Sequence, residues 1–520
     1  MKKVLFILFA GLMASAHMSA VTTNDVCGQF DGNLNIGGQF YPNKSIYLLP
    51  GTVDNAVTFV LPDFMYNNGK LGNIVLPNIP MDANGQLTLE NATLYLDSIS
   101  ERATITIING LEDGGVVYNS IVTATEAQVI LSIGAPSLPE DIYVLFQGVA
   151  ATGKNYMLPN GGFEGAWTNN EPQGWHSFGS ATGLLVDFVV TNTYQFVQST
   201  DVRPGSTGKN SALLSSNMLL GVKANGNCTN GQINAGSMTA DDGANNYNFS
   251  DPDSSLITPF HGRPDSIVFW AKYQPADRDA ANEVNKARMS TAITTAARYQ
   301  DPEVADYSSV KIATASINYT ATANMGWQRI AVPFNYETAN LDKQPALILT
   351  TFTTNMVPGG GSSYSTGGSL SKVNVLDSVY LDDVEMIYNK NLTRFAKGEE
   401  QLTFDAHIAT VTDNYCDDCA KFAAAADGRS SQTFIAFDAA HKCIFIYVIA
   451  DDYAQTGTYN LYRVDFADSE TSDLTPIVNP EQGVENIFMS GMQVEKIIRD
   501  GQLLIRRGNS WYSVTGVRVK

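Results

Sequence analysis

Short β-type segments separated by turn residues run through almost the whole chain, and this pattern limits the folds open to it. Residues 103–108, 128–133 and 141–146 are rich in β-branched and aromatic side chains, and Gly, Asn, Asp and Pro bound these segments. The same pattern returns at 266–273 and 346–352. Few windows repeat apolar residues every 3.6 positions, as an amphipathic helix requires. The sequence therefore predicts an all-β protein built from sandwiches or barrels.

The charge balance excludes some classes of partner. Of 520 residues, 32 are Lys or Arg and 52 are Asp or Glu, which gives a formal net charge of −20 at pH 7 with His neutral. Nucleic acids and anionic membranes are bound through concentrated basic surfaces, so we expect no nucleic-acid partner. Hydrophobic residues make up 44% of the chain, which is enough apolar material for packed cores in several domains.

The first twenty residues have the pattern of a secretory signal peptide. Lys2 and Lys3 precede an apolar run at 4–14, and small residues follow it. The run has about eleven residues, whereas a helix that spans a bilayer needs about 20. No other stretch is long and apolar enough to cross a membrane. We expect cleavage of this leader, no transmembrane segment in the mature chain, and a secreted or cell-surface location.

Five cysteines are an odd number for an exported chain, so not all of them can pair internally. Cys416 and Cys419 have the C-x-x-C spacing, and no second C-x-x-C or H-x-x-H accompanies them. A local disulfide between Cys416 and Cys419 is the prediction. A metal or redox site at this pair is the alternative.

Changes in composition divide the chain into six segments. The stretch after 466 is acidic and contains proline, as linkers often are. The predicted segments are the signal peptide at 1–20, a β-barrel at 21–152, a β-sandwich block at 153–390, a small immunoglobulin-like β-sandwich at 391–466, a linker at 467–484 and a compact β unit at 485–520.

The second block carries the most specific motifs. They are Asn160-Gly-Gly-Phe-Glu-Gly-Ala-Trp167, Pro172-Gln-Gly-Trp175 and, at the far end, Tyr380-Leu-Asp-Asp-Val-Glu385. Together they resemble the galactose-binding-like jelly rolls of carbohydrate-binding modules and, more narrowly, the PCMD family of exported Bacteroidetes proteins, a carbohydrate-metabolism domain. The resemblance covers about 230 residues and implies a jelly-roll fold and a glycan partner.

The closing strand of this block suggests a cation site. Strand alternation places Tyr380, Asp382, Val384 and Met386 on one face, so that Asp382 points toward the core, where an unpaired carboxylate is costly. The jelly-roll resemblance implies a structural Ca²⁺ here, with Glu164 and Asp382 as its oxygen ligands. The alternative is a metal-free lock, in which backbone N–H groups hydrogen-bond to the carboxylate.

Sugar binding requires exposed aromatic rings and polar side chains around them. Trp167, His176 and Trp327 are the candidate carbohydrate-binding residues, because they lie in polar, turn-rich contexts. Trp175 follows a Pro-x-Gly turn and Trp270 lies in an apolar strand, so we expect both of them in the core.

The two ends of the mature chain resemble other modules of exported proteins. Phe30-Asp-Gly-Asn-Leu34 and the segment 71–79 resemble the calycin-like domain, which implies a small lipocalin-like barrel, filled by side chains or holding one small apolar ligand. Residues 501–508 and 512–519 are similar to the type IX secretion sorting domain. That similarity implies the secretion machinery as a partner and delivery across the outer membrane.

No catalytic motif accompanies these modules. The sequence lacks H-E-x-x-H, G-x-S-x-G and G-x-x-x-x-G-K-[ST], so no catalytic residue is predicted. The leading hypothesis is an exported, non-enzymatic protein for glycan binding or adhesion. The alternatives are a glycan-processing hydrolase that uses jelly-roll carboxylates, and a structural or small-ligand-carrying surface protein.

Overall fold

The computed structural model describes most of the chain and confirms the all-β prediction. Helices α1 (Thr23–Val26) and α2 (Tyr453–Thr456) are single turns, and no helix in the described part is long and apolar enough to cross a membrane. The described residues are 20–66, 69–96, 101–113, 115–136, 138, 140–187, 195–219, 222–276, 286–356, 377–416, 422–479, 495–499, 502–507, 510–513 and 518–519. The leader at 1–19 and Cys419 lie outside them.

The described residues form strands along most of the chain. In chain order they are β1 (Gly28–Ile36), β2 (Gln39–Pro50), β3 (Ala56–Tyr66), β4 (Gly69–Pro80), β5 (Ala92–Leu96), β6 (Glu101–Ile107), β7 (Leu111–Asp113), β8 (Val116–Tyr118), β9 (Ile121–Val122), β10 (Glu126–Gly134), β11 (Ile142–Ala150), β12 (Trp167–Thr168), β13 (Glu171–Pro172), β14 (Phe196–Ser199), β15 (Ser211–Ser215), β16 (Asn217–Leu219), β17 (Val222–Ala224), β18 (Asn227–Thr229), β19 (Gln232–Ala235) and β20 (Asn246–Ser250). They continue with β21 (Ser266–Gln274), β22 (Ala287–Thr294), β23 (Tyr299–Asp301), β24 (Lys311–Tyr319), β25 (Gln328–Pro333), β26 (Asn335–Tyr336), β27 (Leu347–Thr353), β28 (Ser378–Ile387), β29 (Leu392–Lys397), β30 (Glu400–Gln401), β31 (Ile408–Thr410), β32 (Phe422–Ala426), β33 (Gln432–Asp438), β34 (Cys443–Ile449), β35 (Asn460–Asp465), β36 (Glu495–Arg499), β37 (Gln502–Arg507), β38 (Ser510–Ser513) and β39 (Arg518–Val519).

The chain divides into two compact units. The first comprises Met1–Met157, Pro259–Asp265 and Tyr388–Glu481, and the second comprises Leu158–Thr258, Ser266–Ile387 and Gln482–Lys520. The first unit thus contains the predicted barrel block and the predicted small sandwich. The second contains most of the predicted jelly-roll block at 153–390, except for residues 153–157, 259–265 and 388–390, which belong to the first unit.

In the first unit, one antiparallel sheet curls into a nearly closed barrel. Its strand order is β4-β3-β2-β1-β11-β10-β6-β5, with β9 paired to β10. Apolar side chains from alternating positions fill the interior, and the rings of Phe30, Phe59, Phe64 and Phe146 are the largest of them. These residues form the inner face because successive side chains on a strand point to opposite sides of the sheet.

The outer face of the barrel is covered by the C-terminal part of the same unit. Sheets β30-β29-β32 and β31-β35-β34-β33 form the small sandwich, and β33 and β34 contribute residues to an apolar cluster that includes Leu49 and Val75 of the barrel. The Tyr453 hydroxyl donates to the Leu48 carbonyl at 2.6 Å. Leu474 is buried in this cluster, so residues 467–479, where composition suggests a linker, pack onto the unit.

The second unit is a β-sandwich of two five-stranded antiparallel sheets. One sheet has the order β14-β15-β28-β21-β25 and the other β18-β27-β22-β24-β26. Phe269 on the first sheet packs against Phe352 and Tyr319 on the second, with ring centroids 5.0 and 5.6 Å apart. Trp175 is fully buried against Phe352 and Phe163, which confirms its prediction as a core residue.

Smaller sheets accompany these, and three of them have only two strands each, β7-β8, β12-β13 and β16-β17. Strands β19, β20 and β23 form a three-stranded sheet in the second unit, and β36-β37-β38-β39 form an antiparallel sheet near the C-terminus. The terminal sequence predicts a short β unit, in agreement with the strands found there. The turn glycines of the sorting-domain motif lie outside the described residues.

Replacing Phe352 by Ala should destabilise the second unit by about 3–5 kcal/mol, because it removes a buried ring from the contact between the sheets. Urea unfolding followed by tryptophan fluorescence measures the effect, since all five tryptophans lie in this unit. Phe40→Ala, at an exposed position of the first unit, is the control and should change the midpoint little. An unchanged midpoint for Phe352→Ala would contradict the described packing.

Candidate functional site

A cleft of about 160 Å³ in the second unit is a candidate site, and residues of two sheets line it. Strands β18, β22 and β27 contribute one side, and β19, β20 and β23 the other. Its lining combines amide, charged and apolar side chains, as small-molecule sites commonly do.

One side of the cleft is a row of polar residues across three paired strands. Asn227 on β18 lies opposite Thr353 on β27, which in turn lies opposite Arg288 on β22. Directly paired residues of antiparallel strands point to the same face of a sheet. The ladder therefore aligns Asn227, Thr353 and Arg288 along the cleft.

A second row faces the first. Asn248 on β20 pairs with Asp301 on β23, so their side chains also share one face. The Asn227 Nδ2 group donates to Asn248 Oδ1 at 3.0 Å. The Arg288 guanidinium makes two hydrogen bonds to the Asp301 carboxylate, at 2.7 and 2.8 Å. These contacts connect the two sheets at the base of the cleft.

The ion pair neutralises the only two charged side chains among the described lining residues. Burial disfavours the guanidinium charge, but the hydrogen bonds and the Coulombic attraction of Asp301 outweigh it, so the pKa of Arg288 is raised above its usual value. Asn227 Oδ1 is buried and accepts no hydrogen bond from the described residues. The two charged groups at the base of the cleft therefore cancel each other.

The wall next to this base is apolar. Phe178, Leu185 and Ala235 pack together there, and Met238 extends the same wall. Asn246 fixes the turn that carries Met238, because its Nδ2 donates to the carbonyls of Ser237 and Thr239, both at 2.9 Å. The apolar wall is thus held by hydrogen bonds as well as by packing.

Sequence reasoning did not find this cleft. Its signal is the density of asparagine, with seven Asn between positions 225 and 248. Asparagine is common in turns, so this density by itself indicates loops. Only the register of β18, β20, β22, β23 and β27 brings the polar side chains from 227 to 353 together.

The predicted metal ligands are engaged by hydrogen-bond donors. Glu164 Oε1 accepts from the backbone N–H groups of Lys209 and Asn210, both at 2.7 Å, and Oε2 accepts from Asn210 Nδ2 at 2.9 Å. Asp382 accepts from the backbone N–H groups of Arg203 at 3.0 Å and Asp383 at 2.9 Å. This is the arrangement expected of a metal-free lock.

A β-bulge corrects the predicted faces of the closing strand. Asp382 lies opposite Trp270, and the register with β21 shifts next to it, where Asp383 adopts a positive φ of 42°. The extra residue reverses the alternation. Tyr380 and Asp382 therefore share the outer face with Trp270, whereas Val384 points to the core. The prediction that Tyr380, Asp382 and Val384 lie on one core-facing side is therefore wrong. The assignment of Trp270 to the core is also wrong, because the Trp270 side chain is half-buried.

Asp382 is nevertheless buried, because the segment that carries Arg203 covers it. Burial, with the charge of Asp383, raises the pKa of the Asp382 carboxyl to about 6, although the two backbone hydrogen bonds oppose this. No group of three or more His, Cys, Asp or Glu side chains in the described part could hold a metal ion. A shared calcium ion at Glu164 and Asp382, with backbone carbonyl oxygens as its other ligands, stays a prediction.

The predicted sugar-binding residues each contact different neighbours. Trp167 packs on Phe196 at 5.4 Å between ring centroids. His176 Nδ1 lies 3.5 Å from Glu171 Oε2, and these two residues line a second pocket together with Thr168, which follows Trp167. Trp327 donates to Asp201 at 3.2 Å, next to β25. A role of Trp167, His176 or Trp327 in carbohydrate binding stays a prediction.

The predicted disulfide is only half described. Cys416 is disulfide-bonded, whereas Cys419 lies outside the described residues. The pairing of Cys416 with Cys419 therefore stays a prediction. Cys27, Cys228 and Cys443 are free thiols.

No family model and no curated protein matches this sequence. A structure described as a putative glycoside hydrolase from Bacteroides thetaiotaomicron is 14% identical, with a TM-score of 0.31, over 68% of this chain and 99% of the other. A carbohydrate-binding module of the β-sandwich superfamily is 10% identical, with a TM-score of 0.20, over 65% and 94%. Rat lipocalin 12 is 16% identical, with a TM-score of 0.15, over 27% and 74%. All three TM-scores are below 0.5, so these likenesses carry no argument about function.

The raised pKa of Asp382 should make the second unit less stable as the pH rises. Because the folded-state pKa of about 6 exceeds the ordinary value of 3.8, the stabilising effect of protonation is complete below about pH 4 and is lost as the pH rises through 6. At about 1.4 kcal/mol per pKa unit the whole effect is about 3 kcal/mol, and about 2 kcal/mol of it is lost between pH 4 and pH 7. The free energy of unfolding of Asp382→Asn should rise by that amount relative to the wild type over this range. Urea unfolding at several pH values, followed by tryptophan fluorescence, measures this difference.

Asp253→Asn, at an exposed position of the same unit, is the matched control and should show no such trend. A constant difference between Asp382→Asn and the wild type across this pH range would disprove the linkage.

Proposed function

We propose that the second unit binds a neutral carbohydrate in the cleft between the Asn227 row and the Asn248 row. The observation that carries the proposal is the pair of facing polar rows, joined by the Asn227–Asn248 hydrogen bond and the Arg288–Asp301 ion pair. The cleft is small, so we expect it to hold one sugar residue of a glycan at a time.

The chemistry of the base suits sugar hydroxyl groups. A hydroxyl both donates and accepts hydrogen bonds, and an amide side chain offers both functions. The neutralised ion pair favours an uncharged ligand over an anionic or cationic one.

The same lining favours binding over hydrolysis. Glycosidases commonly use two carboxyl groups about 5–10 Å apart, of which at least one must exchange a proton. Asp301 is the only carboxylate among the described residues that line the cleft, and Arg288 engages both of its oxygens. We therefore propose a non-enzymatic glycan-binding or adhesion protein.

The proposed site of action is the cell surface or the medium. The signal-peptide pattern of residues 1–20 supports export, and the similarity of 501–519 to a sorting domain supports delivery by the secretion machinery. Fractionation of cells that express the full-length chain, compared with a chain lacking residues 485–520, tests this part of the proposal. Equal amounts of both chains at the surface would contradict the sorting role.

Asn227→Ala should weaken glycan binding about tenfold or more, because the ligand and Asn248 both lose the Asn227 amide as a hydrogen-bond partner. A glycan array with the full mature chain identifies the sugar, and titration calorimetry with that sugar measures the affinity. Gln198→Ala, an exposed amide on β14, is the control and should bind like the wild type.

Tryptophan fluorescence during urea unfolding establishes that the Asn227→Ala variant is folded. The proposal fails if the folded wild-type protein binds no glycan on the array, or if Asn227→Ala binds with unchanged affinity.

A further inference from the structure

We infer that the ligand of this cleft is a glycoside with an apolar substituent, whose sugar lies on the polar base while the substituent lies on the apolar wall. The inference rests on the proposed carbohydrate binding and adds the chemical class of the ligand. It follows from the two-sided lining of the cleft and from the exposed apolar surface of Met238.

The polar and apolar parts of the cleft meet within one cross-strand row. Ile233 on β19 lies opposite Asn248 on β20, which lies opposite Asp301 on β23. All three side chains line the cleft, so the row is polar on β20 and β23 and apolar on β19. Ala235, also on β19, continues the apolar side. A ligand that fills both parts must itself have a polar and an apolar end.

Met238 brings exposed apolar surface to this cleft. It lines the cleft and is 37% exposed. An apolar substituent of a ligand that lies on Met238 would remove this surface from water.

Hydrogen bonds hold the turn that carries Met238. Four hydrogen bonds of Asn246 hold its turn, with Nδ2 donating to two carbonyls and Oδ1 accepting from the N–H groups of Gly236 and Ser237, both at 3.1 Å. The backbone therefore presents Met238 toward the cleft, while the flexible thioether side chain can adapt to substituents of different shapes.

The size of the effect follows from the apolar surface that a substituent would bury. Each buried methylene group improves affinity about fourfold. A hexyl group has five more carbons than a methyl group, and burial of two of them would already give more than tenfold tighter binding.

Titration calorimetry of the full mature chain with methyl and n-hexyl β-D-galactopyranoside, and with the corresponding glucosides, tests the inference. We expect at least one hexyl glycoside to bind ten times or more tightly than its methyl partner. Met238→Ser should reduce this ratio to about threefold or less. Leu341→Ser, at another exposed apolar position of the unit, is the matched control and should keep the full ratio.

The outcomes separate this inference from the proposed function. Equal affinities for the methyl and hexyl glycosides would overturn the apolar-substituent inference and leave carbohydrate binding intact. A hexyl advantage that Met238→Ser does not reduce would also overturn it. Binding of 1-hexanol as tight as that of the hexyl glycosides, with no binding of the methyl glycosides, would overturn both.

Discussion

The bidentate ion pair between Arg288 and Asp301 is the contact on which the candidate site depends. It joins β22 of one sheet to β23 of another, and both side chains are largely buried. Burying a single charge is costly, and removing one partner of such a pair leaves the other uncompensated. The pair therefore fixes the spacing of the two sheets, and with it the distance between Asn227 and Asn248.

The closing strand of the same unit shows another use of charged groups. Glu164, Asp382 and Asp383 lie where the opening segment of the block meets β28, and Val384 donates from its backbone N–H to the Gly161 carbonyl at 2.9 Å. An alanine Cβ at position 161 would lie 2.0 Å from the Val384 carbonyl oxygen, so only glycine allows this approach. The carboxylates satisfy backbone N–H groups of a covering segment, which is a structural role that needs no cation.

The all-β class could be predicted from the sequence because short segments with strand periodicity indicate β-strands directly. The inward-facing side chains of the barrel, such as Phe30 and Phe146, were predictable from strand alternation, whereas the barrel itself was expected from the calycin-like resemblance. The face of Asp382 was not predictable, because one inserted residue at the bulge reverses the alternation and nothing local in Asp382-Asp383 marks it. The cleft was not predictable either, since residues 227, 288, 301 and 353 meet only through strand register.

Two independent electrostatic features indicate the same kind of ligand. The chain carries a formal net charge of −20, so its overall field repels anions. Within the cleft, Asp301 cancels the charge of Arg288, so no free cation among the described lining residues could compensate that repulsion. A cationic ligand would in turn meet a carboxylate whose oxygens are already engaged by Arg288. Hydrogen bonding to neutral groups and burial of apolar surface are then the remaining sources of affinity. The Asn227 row provides the hydrogen bonds, and the Met238 wall provides the apolar surface.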